Sequence, residues 1–424
     1  MYKNLFLVLI CLIAMQSGLT AQVISPAGKT PTAGISQERV TKLDAMLEEA
    51  IQKEQVPGLV AMVVKNGQIV YHSAKGFADV ESGKKMEKNS IFRIASQTKA
   101  ITSTAIMILW EEGKFRLDDP ISKYIPEFKN PQVLSTFRYA DTTYSTKPSS
   151  KEITIRHLLT HTSGLGYGVI DGDERMKMIY HKAGVVDLFT TEKVTIEESV
   201  KRLAKLPLHH EPGTKYTYSE GLDVLGYLVE VISGKPFDVF LKERIFDPIG
   251  MNDTRFYLND VQAPRLVTVH TRKDGKWASY PVTFYDPAYP KTGAKTFFSG
   301  GAGLSSTTED YAKFLQMYLN GGIYNGKRIL SSHTIHTMMQ NQVGDLWNAD
   351  RYHGIGFGVV TDKGVAMGGM GSKGTFDWGG YFNTQYFADP ETGIIGLIFK
   401  QTSGAGNGDE TGWKFRQMVF TLVE

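Results

Sequence analysis

Cysteine is almost absent from this chain of 424 residues, which holds only Cys11. Cys11 lies in an apolar run, residues 5–15, that follows Lys3 and is too short to span a bilayer. This pattern predicts a signal peptide at residues 1–21, cut after Ala21, and an exported protein, periplasmic or secreted. An N-terminal anchor helix is the alternative. A mature chain without cysteine excludes a cysteine nucleophile, thiolate metal ligands and disulfides.

Long apolar runs and blocks of like charge are also missing after residue 21. No later stretch reaches the length that a membrane span needs, so none is expected after removal of the signal. The formal net charge is only +3, and no basic cluster stands out, so we expect no nucleic-acid partner. His209 and His210 have no partner histidine at zinc spacing, and H-E-x-x-H does not occur. We therefore expect neither a metal nor a cofactor.

The order of the predicted elements indicates the fold. Residues 22–35 are rich in proline, glycine, alanine and threonine and indicate a flexible lead-in. Ser36 is placed to cap a first helix, and Asn66-Gly67 predicts a hairpin directly after it. A second hairpin is predicted around residues 389–393, followed by a closing helix over residues 413–422.

The middle of the chain, about residues 111–290, has a different pattern. Helical runs at 153–159, 196–206 and 222–232 alternate with long polar loops such as residues 137–150. The simplest architecture is one domain over residues 36–424 of α/β (α+β) class. An antiparallel sheet built from both chain ends would be flanked by helices and would carry this mostly helical region as an insertion.

Ser96-Gln97-Thr98-Lys99 is the most informative motif. It precedes an apolar helical run, residues 100–110, so Lys99 would lie one turn behind the Ser96 hydroxyl. The positive end of the helix would face the site where negative charge develops. Together these features indicate a serine nucleophile activated by lysine. A second match, at Ser82, lies in a polar, charged stretch with a glycine and indicates an exposed turn.

A lysine that takes a proton at neutral pH needs help, because its solution pKa is near 10.4. Burial or a neighbouring base can supply that help, and a tyrosine is a common partner. Two tyrosines, Tyr216 and Tyr218, stand between the Pro212-Gly213 turn and a predicted helix.

Five segments, in this order, resemble the serine β-lactamase-like family of the class C type, which includes class C β-lactamases, D-alanyl-D-alanine carboxypeptidases and related esterases. They are residues 91–99, 117–121, 153–165, 212–219 and 300–306. The resemblance implies a β-lactamase/transpeptidase-like fold without a cofactor. It also implies Ser96 as nucleophile, Lys99 as its partner and Tyr218 as general base and acid.

Two departures from the family pattern bear on the substrate. Glu220 stands where lactamases have an asparagine that contacts the substrate amide, and a carboxylate cannot donate in that way. Trp378-Gly379-Gly380, directly before a predicted strand, resembles the esterase form of the third motif. Lys291-Thr292-Gly293 has the lactamase letters but precedes residues 300–306, so we interpret Lys291 as a loop lysine.

The resemblance then gives a complete predicted site. The backbone amides of Ser96 and Tyr381 would form the oxyanion hole. The substrate would contact Glu220, Trp378, Gly379, Gly380 and Tyr216. His157 and His161 are interpreted as structural. Lys373, in a glycine-rich stretch, lacks the spacing of a phosphate loop.

The predicted function is an exported serine hydrolase that works through an acyl-enzyme. A carboxylesterase of small acyl esters fits best, and the partner would be a small ester, amide or peptide substrate. A D-alanyl-D-alanine carboxypeptidase or a β-lactamase is one alternative. A non-catalytic member that binds a ligand in the same cleft is the other.

Overall fold

The computed structural model describes residues 22–26, 34–404 and 408–423. The predicted signal peptide, residues 1–21, and half of the predicted lead-in lie outside these residues. None of the helices in the described residues is long and apolar enough to cross a membrane.

The described residues form sixteen strands and twelve α-helices, numbered in chain order. The strands are β1 Gly58–Lys65, β2 Gln68–Asp79, β3 Lys84–Lys85, β4 Phe92–Arg93, β5 Gln132–Arg138, β6 Thr143–Pro148, β7 His270–Lys273, β8 Lys276–Ser279, β9 Ser305–Ser306, β10 Ile323–Tyr324, β11 Lys327–Arg328, β12 Arg351–His353, β13 Gly358–Val360, β14 Phe376–Gly380, β15 Thr384–Asp389 and β16 Ile394–Phe399. The helices are α1 Gln37–Gln52, α2 Thr98–Glu111, α3 Ile155–Leu159, α4 Glu174–Ala183, α5 Ile196–Leu203, α6 Gly221–Ser233, α7 Phe237–Leu241, α8 Asp247–Ile249, α9 Thr308–Leu319, α10 Ser332–Met338, α11 Asp362–Ala366 and α12 Thr411–Phe420.

The main sheet joins the two ends of the chain. Its eight strands run in the order β12-β13-β14-β15-β16-β1-β2-β3, and its pairings are antiparallel. β16 and β1, the fifth and sixth strands in this order, pair in the interior of the sheet, with Val60 opposite Phe399. Outside the sheet, the Ser36 amide donates to the Leu422 carbonyl oxygen at 3.0 Å. The predicted fold class is confirmed.

Strand β1 is buried on both faces, which explains its nearly continuous apolar sequence. Leu59, Ala61 and Val63 pack with α1 and α12 on one face. The alternate residues of β1 belong to the larger core that also contains α2, α6 and α9. The turn after β1 has positive φ at Asn66 and Gly67, 49° and 77°, as the predicted two-residue hairpin requires.

The region between α2 and residue 290, predicted as mostly helical, contains the helices α3 to α8 together with long irregular segments and two hairpins, β5–β6 and β7–β8. Residues 137–150, predicted as a polar loop, form most of the β5–β6 hairpin, so that prediction was wrong. The six residues of β6 are all exposed, so the sequence lacks the alternation that marks a half-buried strand. Cross-strand hydroxyl pairing between Thr136 and Ser145, 2.6 Å apart, helps to hold the hairpin.

Candidate active site

Ser96 lies in a short 3₁₀ turn, Ala95–Gln97, between β4 and α2. Only 9% of its surface is exposed. Ala95, directly before it, has a φ of 43°. Such a conformation costs a residue with a Cβ about 1–2 kcal/mol, and strain of this kind concentrates at functional sites. The strained backbone of Ala95 thus lies directly before Ser96, which stands at the buried start of α2.

Lys99 and Tyr218 both reach the Ser96 hydroxyl, as predicted. The Lys99 Nζ lies 3.4 Å from Ser96 Oγ, one helical turn away. The Tyr218 hydroxyl donates to the same oxygen at 2.7 Å. The Lys99 ammonium also lies 4.5 Å from the centre of the Tyr218 ring. Residues that are distant in sequence therefore form one hydrogen-bonded cluster around a single oxygen.

Lys99 has further partners that the sequence did not indicate. Its Nζ donates to the Gly301 carbonyl oxygen at 2.8 Å and lies 3.3 Å from the Tyr167 hydroxyl. The Tyr167 ring also stacks on the Tyr218 ring, 5.4 Å between centres. Tyr167 follows the signature segment by two positions and has no spacing relation to Ser96, so no local pattern pointed to it.

Asp223 stabilises the segment whose Gly301 carbonyl oxygen binds Lys99. Its carboxylate accepts hydrogen bonds from the Ser299 hydroxyl at 2.6 Å and from the Gly301 amide at 3.1 Å. Burial raises the pKa of Asp223, an effect that Ser299 and Lys99 partly offset. The glycine segment that binds Lys99 is thereby fixed to α6.

Strand β14 ends against the turn that carries Ser96. A Cβ on Gly380 would lie 2.4 Å from the Ile94 carbonyl oxygen, so only glycine permits this approach. Trp378, Gly379 and Gly380 are the last three residues of β14. The sequence pattern predicts them directly before a strand and not within one. Tyr381 follows in the turn to β15. The assignment of the Ser96 and Tyr381 amides to an oxyanion hole stays a prediction.

Aromatic side chains pack together beside the Ser96 cluster. This aromatic wall consists of Tyr216, Tyr218, Trp347, His353 and Trp378. The Trp378 ring stacks with Tyr218, 6.3 Å between centres, and Trp347 stacks with Tyr216 at 5.7 Å. Tyr216 thus packs within the wall, and the hydrogen bond to Ser96 comes from Tyr218. Burial lowers the pKa of His353 to about 4, so this ring is neutral at pH 7.

Glu220 lies in the interior of the protein. It is only 2% exposed, and its carboxylate accepts a hydrogen bond from the Gly168 amide at 3.3 Å. Burial first, and then the nearby Asp187, raises the pKa of Glu220 well above its usual range. The Glu220 side chain thus packs against the loop behind Tyr218, and its contact with substrate stays a prediction.

The remaining polar residues singled out in the sequence make structural contacts, and one of them, His161, lies against the Tyr218 ring with 4.6 Å between ring centres. Lys291 is exposed in an irregular segment, and within the described residues no hydrogen bond or ion pair joins its side chain to the Ser96 cluster. His157 caps α3, and His161 Nδ1 accepts from the Ser219 amide at 3.1 Å. His209 pairs with Asp171 at 2.9 Å. Among the described residues no group of three or more His, Cys, Asp or Glu is arranged to hold a metal ion.

Comparisons with known proteins identify one family. The family model described as Beta-lactamase matches residues 43–417. Esterase EstB of Burkholderia gladioli is 31% identical over 386 residues, which cover 86% of this chain and 91% of EstB. Protein Rv1367c of Mycobacterium tuberculosis H37Rv is 32% identical over 373 residues, 84% of this chain and 88% of that protein.

A solved structure shows the same architecture. The structure of EstCE1, described as a hydrolase with promiscuous acyltransferase activity, superposes with a TM-score of 0.76 at 27% identity. The match covers 91% of this chain and 99% of EstCE1. The Beta-lactamase family model matches most of this chain, which therefore belongs to the β-lactamase family and is a serine hydrolase of that fold.

Proposed function

We propose that this protein is an exported carboxylesterase that cleaves small acyl esters through an acyl-enzyme on Ser96. The observation that carries the proposal is the cluster at Ser96 Oγ, with Tyr218 at 2.7 Å and Lys99 at 3.4 Å. In the reactive form that we propose, the Tyr218 proton has passed to Lys99, so that a phenolate beside an ammonium can accept the Ser96 proton and supply a nearby positive charge.

The first half of the reaction forms the acyl-enzyme. Ser96 Oγ attacks the ester carbonyl carbon while its proton passes to the phenolate oxygen of Tyr218 in the reactive form of the pair. Negative charge then develops on the carbonyl oxygen, for which the Ser96 and Tyr381 amides are the proposed donors. The bond to the alcohol breaks, and Tyr218 returns the proton to the departing oxygen.

The second half releases the acid. A water molecule takes the place of the alcohol and gives a proton to the same tyrosine as it attacks the acyl carbonyl. Collapse of this intermediate breaks the bond to Ser96 Oγ, which recovers its proton. Tyr218 thus acts first as base and then as acid in each half, while Lys99, held by Gly301 and Tyr167, keeps the charge balanced.

The substrate class follows from what the cleft offers. An aromatic residue, Trp378, occupies the strand position where lactamases have a lysine, and Glu220 is turned inward onto Gly168. At these two positions the site therefore has neither the lysine nor the amide donor that would hold a β-lactam carboxylate and side chain. A neutral short-chain ester needs neither group. The name of EstB, an esterase relative, supports the same choice.

Labelling with a fluorophosphonate probe tests the nucleophile. Intact mass would be compared for the wild type, Ser96→Ala and Ser82→Ala, where Ser82 lies in an exposed turn. We expect one adduct in the wild type and in Ser82→Ala and none in Ser96→Ala. An adduct that survives in Ser96→Ala contradicts the assignment.

A substrate panel tests the class. We expect kcat/KM for p-nitrophenyl butyrate to exceed that for nitrocefin, because one missing charge-assisted hydrogen bond costs about 1.5–3 kcal/mol, or roughly 10–150-fold. Faster nitrocefin turnover that is lost in Lys291→Ala would instead favour a β-lactamase. Release of D-alanine from a D-alanyl-D-alanine peptide without ester turnover would favour the carboxypeptidase. N-terminal sequencing of protein from fractionated cells tests export, with residue 22 as the expected first residue.

A further inference from the structure

The two proposed oxyanion donors come from distant parts of the chain. Ser96 follows β4, and Tyr381 lies in the turn after β14. Two amides serve one oxygen only if the distance between their segments is fixed, because an error of about 1 Å is enough to cost roughly 100-fold in rate. What fixes that distance is therefore part of the site.

One side of this connection is Gln401, just beyond the end of β16 and 1% exposed. Its Oε1 accepts a hydrogen bond from the Arg93 amide at 3.0 Å. Its Nε2 donates to the Arg93 carbonyl oxygen at 3.1 Å. A single side chain thus pairs with both backbone groups of Arg93, as a neighbouring strand would, three residues before Ser96.

The other side is Thr402. Its amide donates to the Phe382 carbonyl oxygen at 3.1 Å, one residue after Tyr381. Its hydroxyl accepts from the Asn383 side-chain amide, also at 3.1 Å. Asn383 has a φ of 69°, so this side chain helps to hold a turn whose backbone is strained for a residue with a Cβ. The Phe382 ring is fully buried and anchors the same turn.

Lys400 keeps this short segment from shifting. It is 1% exposed, and its Nζ donates to Asp409 at 2.6 Å and to the Thr411 hydroxyl at 2.8 Å. Asp409 accepts from Asn383 as well, at 2.7 Å. Breaking one partner of a buried charge pair is costly, so the lysine and the aspartate fix each other and the turn.

We propose that residues 400–402, the bridging segment, set the spacing of the two oxyanion donors, with Gln401 and Thr402 as positioning residues. Gln401 fixes the strand that leads to Ser96, and Thr402 fixes the turn that carries Tyr381. Neither side chain needs to touch the substrate for this role. The inference rests on the proposed function, since it assumes that Ser96 forms an acyl-enzyme.

Two near-isosteric variants, Gln401→Met and Thr402→Val, test the proposal with p-nitrophenyl butyrate. Loss of a whole oxyanion donor costs about 10²–10³-fold in kcat, and displacement of a donor should cost less. We therefore expect kcat to fall roughly 10–100-fold while KM stays within about twofold. Thr402→Ser, which keeps the hydroxyl, should retain the wild-type kcat.

A spectroscopic readout separates positioning from general loss of structure. The infrared carbonyl stretch of a ¹³C-labelled acyl-enzyme, formed by rapid mixing, should move towards that of a free ester in both variants, because its oxygen loses hydrogen bonding. The matched control is Gln262→Met. Gln262 is also buried and its Nε2 also donates twice, to the Asn252 carbonyl oxygen and to Asp253. This control should lose thermal stability but keep kcat and the carbonyl frequency.

Wild-type kcat and carbonyl frequency in Gln401→Met and Thr402→Val would overturn the inference. So would an equal loss of kcat in Gln262→Met. If Gln401→Met does not fold, Thr402→Val decides, because it exchanges only a hydroxyl for a methyl group. A wild-type protein that neither hydrolyses the ester nor labels at Ser96 would instead refute the proposed function itself.

Discussion

Because His353 is buried, the free energy of unfolding of the protein depends on pH. Its Nδ1 lies 2.6 Å from the Gly354 carbonyl oxygen, and its ring is enclosed by Trp347, Trp378 and His161. Burial lowers its pKa from 6.5 to about 4. Because the folded-state pKa is lower, the unfolded chain takes up this proton first as the pH falls. The stability contributed by neutral His353 is therefore complete above pH 6.5 and is lost as the pH falls towards 4.

The size of the effect follows from the two pKa values. The free energy of unfolding should fall by about 2 kcal/mol between pH 7 and pH 5 on account of His353, and by about 3 kcal/mol at pH 4. His353→Asn removes the titrating ring but keeps a side-chain amide that can donate to Gly354. This variant should be less stable at pH 7, yet lose about 2 kcal/mol less than the wild type on going to pH 5.

Urea unfolding at pH 7, 6 and 5, followed by circular dichroism, measures both slopes. His333→Asn, at an exposed histidine, is the control and should keep the wild-type slope. Burial also lowers the pKa of His161, so part of the slope should persist in His353→Asn. Identical slopes in His353→Asn and the wild type would show that His353 does not titrate as its burial implies.

Three further outcomes are expected. Tyr218→Phe should lower kcat for p-nitrophenyl butyrate about 10²–10⁴-fold with little change in thermal stability, because it removes proton transfer but not volume; a near-normal rate would leave Lys99 as the sole base. Gly380→Ala should lower kcat by roughly 100-fold, since its Cβ would meet backbone at 2.4 Å, whereas Gly379→Ala, with its nearest contact at 3.4 Å, should not. The raised pKa of Glu220 makes its ionisation unfavourable in the folded state, so the wild type should lose stability as the pH rises from 5 to 8. Glu220→Gln should therefore gain stability relative to the wild type over this range, measured by urea unfolding. An equal change in the free energy of unfolding for both proteins would contradict this.

Local patterns were enough for the parts of the molecule that local geometry determines. The spacing of Ser96 and Lys99 places both on one helical turn, and Asn66-Gly67 specifies a tight hairpin wherever it occurs between strands. Both predictions are confirmed as positions in the structure. The catalytic roles of the residues stay predictions until they are assayed.

Features set by long-range packing were out of reach. Tyr167 contacts Lys99 although the two residues lie 68 positions apart in sequence. Gln401 contacts Arg93 across 308 positions. Glu220 follows Tyr218 by two residues, but whether it faces the cleft or the interior depends on where the loop carrying Gly168 lies. Neither composition nor periodicity contains that information, since each describes a residue only relative to its neighbours in sequence.

Because β1 pairs with β16, the main sheet can be completed only after the C-terminal strands have been synthesised. Ser96, Lys99 and Tyr218 are all synthesised well before β14 and residues 400–402. A ribosome-bound chain that stops before these last strands holds the nucleophile and its proton carriers but lacks β14, β15, β16 and residues 400–402. In such a chain β1 has no β16 to pair with, and Gly380 is absent from its place beside Ile94. A truncated chain therefore keeps its serine without the segment proposed to complete the oxyanion hole.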